Sequence, residues 1–230
     1  MANVSFETRR GELKTYYGQN AADKRVALTS QPPVSYIRET VRAGREQTRE
    51  TLLGWLPADL NSKRIYDAGC GTGVLAEKAA LRGAQVTAVD ISAALIEEAK
   101  LRFADTTIIF EAGDMAADRG TFDHVVAMDS LIHYPLDAII ALLEGFAQRT
   151  TTSILFTVAP STPALEVMKF AGKFFPKNDR SPSIEPVKES DLRKAVAQNE
   201  ALADFEIKAM HRVSTGFYKS TSVKLVRRSD

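Results

Sequence analysis

The run Ile65-Tyr66-Asp67-Ala68-Gly69-Cys70-Gly71-Thr72-Gly73 constrains this chain more than any other: an apolar strand ends on an acid, crosses three glycines and enters a helix. Glycines at such a turn reach backbone conformations closed to other residues and let a ligand approach the main chain. The first helical turn adds unpaired N–H groups. Loops of this kind work at the carboxyl edge of a parallel sheet. From Arg64 onward apolar runs at 64–68, 85–89, 107–111, 124–128 and 153–158 alternate with helical stretches, which predicts parallel strands joined by crossover helices. Phe205 to Met210 and Phe217 to Arg227, around Ser214, Thr215 and Gly216, read as a closing antiparallel hairpin.

Upstream, Ile37, Val41, Thr48, Leu52 and Trp55 recur at helical spacing, with Ser35 as the expected N-cap and Pro57 as the stop. The chain then divides into an N-terminal helical arm at 1–56 and an α/β domain at 57–230. Pro160, Pro163, Pro176, Pro182 and Pro186 break the rhythm after the fifth strand and mark an insertion at 160–187. A mostly parallel, seven-stranded Rossmann-like sheet that finishes in such a hairpin resembles the class I methyltransferases.

The acids favour the same class. Asp67, two residues before the first glycine, suits the cationic aminoacyl end of S-adenosylmethionine and would repel the phosphates of a dinucleotide. Asp90 ends the second strand at about the 20-residue offset of a ribose-binding acid. Asp114, in Gly113-Asp114-Met115, follows the third strand, where class I methyltransferases place a carboxylate against the adenine amino group. The expected cofactor site is therefore Asp67, Gly69, Cys70, Gly71, Gly73, Asp90, Ile91, Asp114, Met115 and Asp129. Cys70 reads as a small residue tolerated by the turn in preference to a nucleophile. Gly71-Thr72-Gly73-Val74-Leu75-Ala76 also fits a G-x-G-x-x-A pattern, so a nicotinamide-dependent oxidoreductase is a rival, as is a cofactor-binding scaffold without turnover.

Composition narrows the acceptor. Lysine plus arginine (30) balance aspartate plus glutamate (29), so there is no overall basic field to hold nucleic acid. The single cysteine leaves no intramolecular disulfide and no multi-cysteine metal site, which fits a reducing, cytoplasmic setting, and no metal ligands are expected. No apolar run approaches the roughly 18 residues of a membrane span. The fourth strand and its exit, Phe122 to Pro135, lack both the Pro-Pro-aromatic clamp of base N-methylation and a Pro-Cys pair for carbon methylation. A small-molecule oxygen or carboxylate acceptor remains, with a quinone precursor as one candidate.

Val126-Ala127-Met128-Asp129-Ser130-Leu131-Ile132-His133-Tyr134-Pro135 resembles the corresponding segment of the magnesium protoporphyrin IX methyltransferases of chlorophyll and bacteriochlorophyll synthesis. Val41 to Arg45, Asp67 to Gly73, Phe156 to Pro160, Phe175 to Pro182 and Gly216 to Tyr218 are similar to that family too. The resemblance implies methyl transfer from S-adenosylmethionine to one propionate of magnesium protoporphyrin IX, giving the monomethyl ester and S-adenosylhomocysteine. It also implies contact with the porphyrin-binding subunit of magnesium chelatase, and a cytoplasmic protein or one peripheral on the photosynthetic membrane. His133, just past the fourth strand, is the expected catalytic residue, orienting the propionate. Tyr16, Tyr17 and Tyr36 stand in for an arm tyrosine of the family that Lys24 to Thr29 lack. Leu165, Met168, Phe170, Ala171, Phe174 and Phe175 are the expected apolar roof, with Lys169, Lys173, Lys177 and Arg180 for the second propionate.

Overall fold

Each apolar run in the middle of the chain becomes a strand, and the central strands are covered on both faces while β3 lies at the edge with Ile109 exposed. The computed structural model describes residues 10–11, 33–161 and 184–228. Helix α1 (Pro33–Trp55) precedes β1 (Arg64–Ala68), α2 (Val74–Ala80), β2 (Gln85–Asp90), α3 (Ala93–Arg102), β3 (Ile109–Ala112) and β4 (Phe122–Ala127). A 3₁₀ turn (Leu131–His133), α4 (Leu136–Ala147), β5 (Thr150–Val158), α5 (Glu189–Gln198), β6 (Phe205–Thr215) and β7 (Tyr218–Arg227) complete the order. The strands form one seven-stranded sheet, β3-β2-β1-β4-β5-β7-β6. Strands β1 to β5 pair in parallel, and β7 runs antiparallel to both β5 and β6.

Alternation along each strand separates two cores. Tyr66, Val125, Ile154 and Phe156 face α4 and α5, while Ile65, Val126 and Leu155 face Leu52, Leu53, Leu75 and Ile96 from α1, α2 and α3. Asp67 is in register with Ile65 and so points to the second side, beneath α1. The strand order reverses between β1 and β4, which opens a crevice at their carboxyl ends where α/β sheets bind ligands.

Helix α1 begins at Pro33, so Ser35 lies inside the helix, not ahead of it as an N-cap. Proline suits a first helical position, whose N–H has no helical partner in any case. Thr48 and Leu52 are buried as their spacing predicts, whereas Ile37 is 43% exposed and Tyr36 is 64% exposed. The apolar stripe thus seats the C-terminal half of the helix and leaves the other end outward. The insertion leaves and returns at one place: Pro160 bridges Val187, and the Glu185 N–H donates to the Ile132 carbonyl at 2.9 Å. The proposed roof residues 165–175, the basic residues Lys169, Lys173, Lys177 and Arg180, and Tyr16, Tyr17 and 24–29 lie outside the described residues. Among the described residues no helix is long and apolar enough to cross a membrane.

Candidate active site

Four acids stand at the carboxyl edge of four neighbouring strands: Asp67 in β1, Asp90 in β2, Asp114 after β3 and Asp129 after β4. The glycine loop is pinned to the end of β2 by N–H donation from Gly69 and Cys70 to the Val89 carbonyl, at 2.8 and 3.0 Å. Gly69, Gly71 and Gly73 all have positive φ, at 85°, 56° and 77°. Their uses differ. A Cβ at Gly69 would lie 2.4 Å from that of Ser130, and one at Gly73 would lie 2.7 Å from the Phe110 ring, but one at Gly71 would meet no protein atom within 4 Å.

Two adjoining lobes open around this loop. The first, about 130 Å³, is walled by Arg10, Gly69, Gly71, Asp90, Ile91, Asp114, Met115, Asp129, Ser130, His133 and Tyr134 among others. The second, about 210 Å³, includes Arg45, Arg49, Asp67, Gly69, Cys70, Gly71 and Asp129. Nine of the ten expected cofactor residues therefore line one lobe or both, together with His133. Gly73 lines neither. It gives the chain the left-handed turn from which α2 starts and keeps a Cβ away from Phe110, so packing alone already accounts for a glycine there.

Asp67 is buried, and among the described residues its Oδ2 has no hydrogen-bond partner. Burial, reinforced by the nearby Asp90 carboxylate, pushes its carboxyl up to about 7, against the pull of Arg49 and the Ala76 N–H. Asp90 accepts the Gly71 N–H on one oxygen and the Ser92 N–H on the other, both at 2.9 Å. Burial raises its pKa and those two donors oppose the rise. Each oxygen keeps a lone pair for a hydroxyl. Asp114 accepts the Ala116 N–H at 2.9 Å and the Arg10 guanidinium at 2.8 Å. Burial, then Asp67 and Asp90, push the Cys70 thiol far above its ordinary range, which disfavours the thiolate and agrees with its reading as a small residue of the turn.

Asp129 forms a junction that the sequence did not announce. Its φ is 55°, and its N–H donates to Thr157 Oγ1 at 2.7 Å. One carboxylate oxygen accepts Arg45 Nε at 2.9 Å, and the other accepts the Tyr218 hydroxyl at 2.8 Å. Gly44 packs so closely on Tyr218 that a Cβ would lie 2.4 Å from the ring, and Gly216 packs likewise on Thr40. Arg10, Arg45, Arg49 and Tyr218 were missed because each comes from an element remote in sequence. A signal existed for some of them: Val41 to Arg45 and Gly216 to Tyr218 carried family likeness without a role, and these two stretches touch.

The orphaned oxygen of Asp67 fits an ammonium group, Asp90 fits a diol, and the glycine loop leaves main chain open beside both. The chain aligns at 40% identity with a magnesium-protoporphyrin O-methyltransferase of Rhodobacter capsulatus over 216 residues, 92% of this chain and 93% of that protein. It belongs to the magnesium protoporphyrin IX methyltransferase family. A second family member, from Synechocystis, is 30% identical over 94% of this chain and 95% of its own. The family model described as magnesium-protoporphyrin IX methyltransferase C-terminus matches residues 127–227, which hold Asp129, His133 and Tyr218. A general methyltransferase domain model matches residues 65–152. The crystal structure of the Synechocystis family member with bound SAH superposes with a TM-score of 0.79 at 28% identity, covering 96% of this chain and all of that one. The mostly parallel seven-stranded sheet and closing hairpin expected from the sequence are thus those of the family.

Proposed function

We propose that this chain transfers the methyl group of S-adenosylmethionine to one propionate carboxylate of magnesium protoporphyrin IX, yielding the monomethyl ester and S-adenosylhomocysteine. The observation that carries the donor half is Asp67, a buried carboxylate with an oxygen that no group among the described residues satisfies. Family membership over nearly the whole chain supports the acceptor half.

When bound, S-adenosylmethionine supplies an electrophilic methyl carbon on a sulfonium leaving group. Asp67 accepts its ammonium, Asp90 the ribose hydroxyls and Asp114 the adenine amino group, while Arg45 and Arg49 line the Asp67 lobe as cations for the aminoacyl carboxylate. A propionic acid titrates near about 4 to 5 by analogy with glutamate, so the nucleophile is already ionised and no strong base is needed. His133, on the wall of the first lobe, holds that carboxylate in line, and its burial helps keep water off the oxygen. Helix α1 presents Arg38, Arg42, Arg45 and Arg49 on one face, with Ile37, Val41 and an Arg49-paired Glu46, around a groove of about 370 Å³ that meets both lobes at Arg45. Cationic and apolar surface side by side suits a flat apolar macrocycle carrying two carboxylates. A cover over it from the N-terminal arm and the insertion at 160–187, most of which lies outside the described residues, belongs to the same proposal. Delivery by the porphyrin-binding subunit of magnesium chelatase, and a peripheral seat on the photosynthetic membrane, belong to the same proposal.

Incubation with labelled S-adenosylmethionine and magnesium protoporphyrin, metal-free protoporphyrin or a polyprenyl phenol tests the reading. Label should enter the magnesium porphyrin as a base-labile ester. Transfer to the phenol alone would refute it in favour of a quinone precursor.

A further inference from the structure

Arg149 sits between α4 and β5 with 8% of its surface exposed, and among the described residues it forms no ion pair. A buried guanidinium without a counter-ion is costly unless dipoles replace its water. Here the dipoles are consecutive main-chain carbonyls. Nη1 donates to Ala117 O at 2.5 Å, and Nη2 donates to Met115 O and Ala116 O, both at 3.2 Å. The Arg149 guanidinium lies over the Tyr66 ring, and the Tyr66 hydroxyl donates to Met115 O at 3.0 Å. Arg119, tethered to Glu111, donates to Asp114 O at 2.7 Å. Every carbonyl from Asp114 to Ala117 is therefore held by a donor, while the Asp114 side chain and Met115 line the first lobe. A hydrogen bond fixes position as well as energy, so several convergent bonds on one turn leave it little freedom to rotate.

We propose that Arg149 is a positioning residue that sets the donor's base specificity: it holds the Asp114–Ala117 turn so that the Asp114 carboxylate meets an exocyclic amino group and rejects a 6-oxo purine. This rests on the reading that Asp114 faces adenine. An aligned acceptor discriminates donor from acceptor on the ligand sharply, because the wrong partner leaves two acceptors opposed. A turn free to tilt loses that discrimination before it loses the ligand.

Calorimetry with S-adenosylhomocysteine and its 6-oxo counterpart, S-inosylhomocysteine, reads this directly. In Arg149→Lys, which keeps the charge but not the fork, adenosyl affinity should fall about tenfold while inosyl affinity changes less than about threefold. Turnover at saturating S-adenosylmethionine should stay within about twofold. Tyr66→Phe, which removes one bond and should fold whatever Arg149→Lys does, should move the ratio the same way by about threefold. Equal loss for both ligands, or an unchanged ratio in both variants, would overturn the proposal, since a purely structural arginine would lower the two affinities together. Asp114→Asn separates the failures. A ratio unmoved there removes adenine from Asp114, whereas a collapsed ratio there with an intact one in the other variants removes only Arg149.

Discussion

Asp67→Asn removes one buried charge while keeping its shape, and it should act in opposite directions on stability and on binding. In the ligand-free protein the carboxyl is raised from its ordinary 3.8 to about 7. Between those values the folded chain keeps a proton that the unfolded chain has lost, so stability falls as pH rises through the window. At about 1.4 kcal/mol per pH unit the ionised form costs the ligand-free fold about 4 kcal/mol by pH 8. The asparagine keeps the packing but forgoes attraction to Arg49, so the variant should be about 2–4 kcal/mol more stable than wild type at pH 8 and nearly equal to it at pH 4. For a chain of this length that is a rise in Tm of about 5–15 °C. Binding moves the other way: loss of a charge-assisted hydrogen bond to the ligand ammonium is worth about 1.5–3 kcal/mol, or about 10–150-fold in the Kd of S-adenosylhomocysteine. Scanning fluorimetry across pH 4–8 and calorimetry in buffers of different ionisation enthalpy measure both, the wild type releasing a proton on binding below pH 7. A variant less stable than wild type at pH 8, or one that binds S-adenosylhomocysteine undiminished, would refute the reasoning.

His124 is buried beside Ser153 and held down to about 4 by burial; its contribution is complete above pH 6.5 and lost as pH falls toward 4. His124→Gln should flatten that acid limb of Tm, most visibly with Asp67→Asn, because the two groups oppose each other in this window. Gly73→Ala puts a Cβ against Phe110 at positive φ and should lower stability by about 1–3 kcal/mol, whereas Gly71→Ala should cost about 1 kcal/mol and lose S-adenosylhomocysteine binding, as parallel melts and titrations would reveal. His133→Phe should cut turnover by about 10–100-fold with cofactor Kd within about threefold; an undiminished rate removes it from the chemistry. Arg42→Glu should raise the KM for porphyrin about fivefold or more and leave that for S-adenosylmethionine alone, measured by initial rates.

The sheet was legible because its central strands are buried on both faces and read as plain apolar runs. Where a strand is polar the reading stopped short: β5 begins at Thr150, not Ser153, since the threonines there are β-formers without apolar character, and β6 continues past Met210 to Thr215. Met128 falls outside β4, where the chain turns toward Asp129. That the glycines and three acids would gather at one edge of the sheet was legible because each follows the end of a readable parallel strand. Asp129's true partners were not, because Arg45 and Tyr218 lie 84 and 89 residues away and become neighbours only once the sheet is ordered. The packing role of Gly73 was not legible for a related reason: a glycine demanded by a packed aromatic ring and one demanded by a ligand look alike in sequence.

The Asp129 junction also bears on when, during synthesis, the protein becomes competent. The helix that supplies Arg45 leaves the ribosome early, yet the hydroxyl of Tyr218 belongs to the last strand, which enters the sheet beside β5. A nascent chain ending before β7 would hold the glycine loop and all four acids but would lack a donor to one Asp129 oxygen and a neighbour for β5. Assembly of the donor pocket is thereby deferred until β7 has been made, so a chain truncated before β7 should fail as a whole instead of persisting as a partial enzyme that sequesters S-adenosylmethionine.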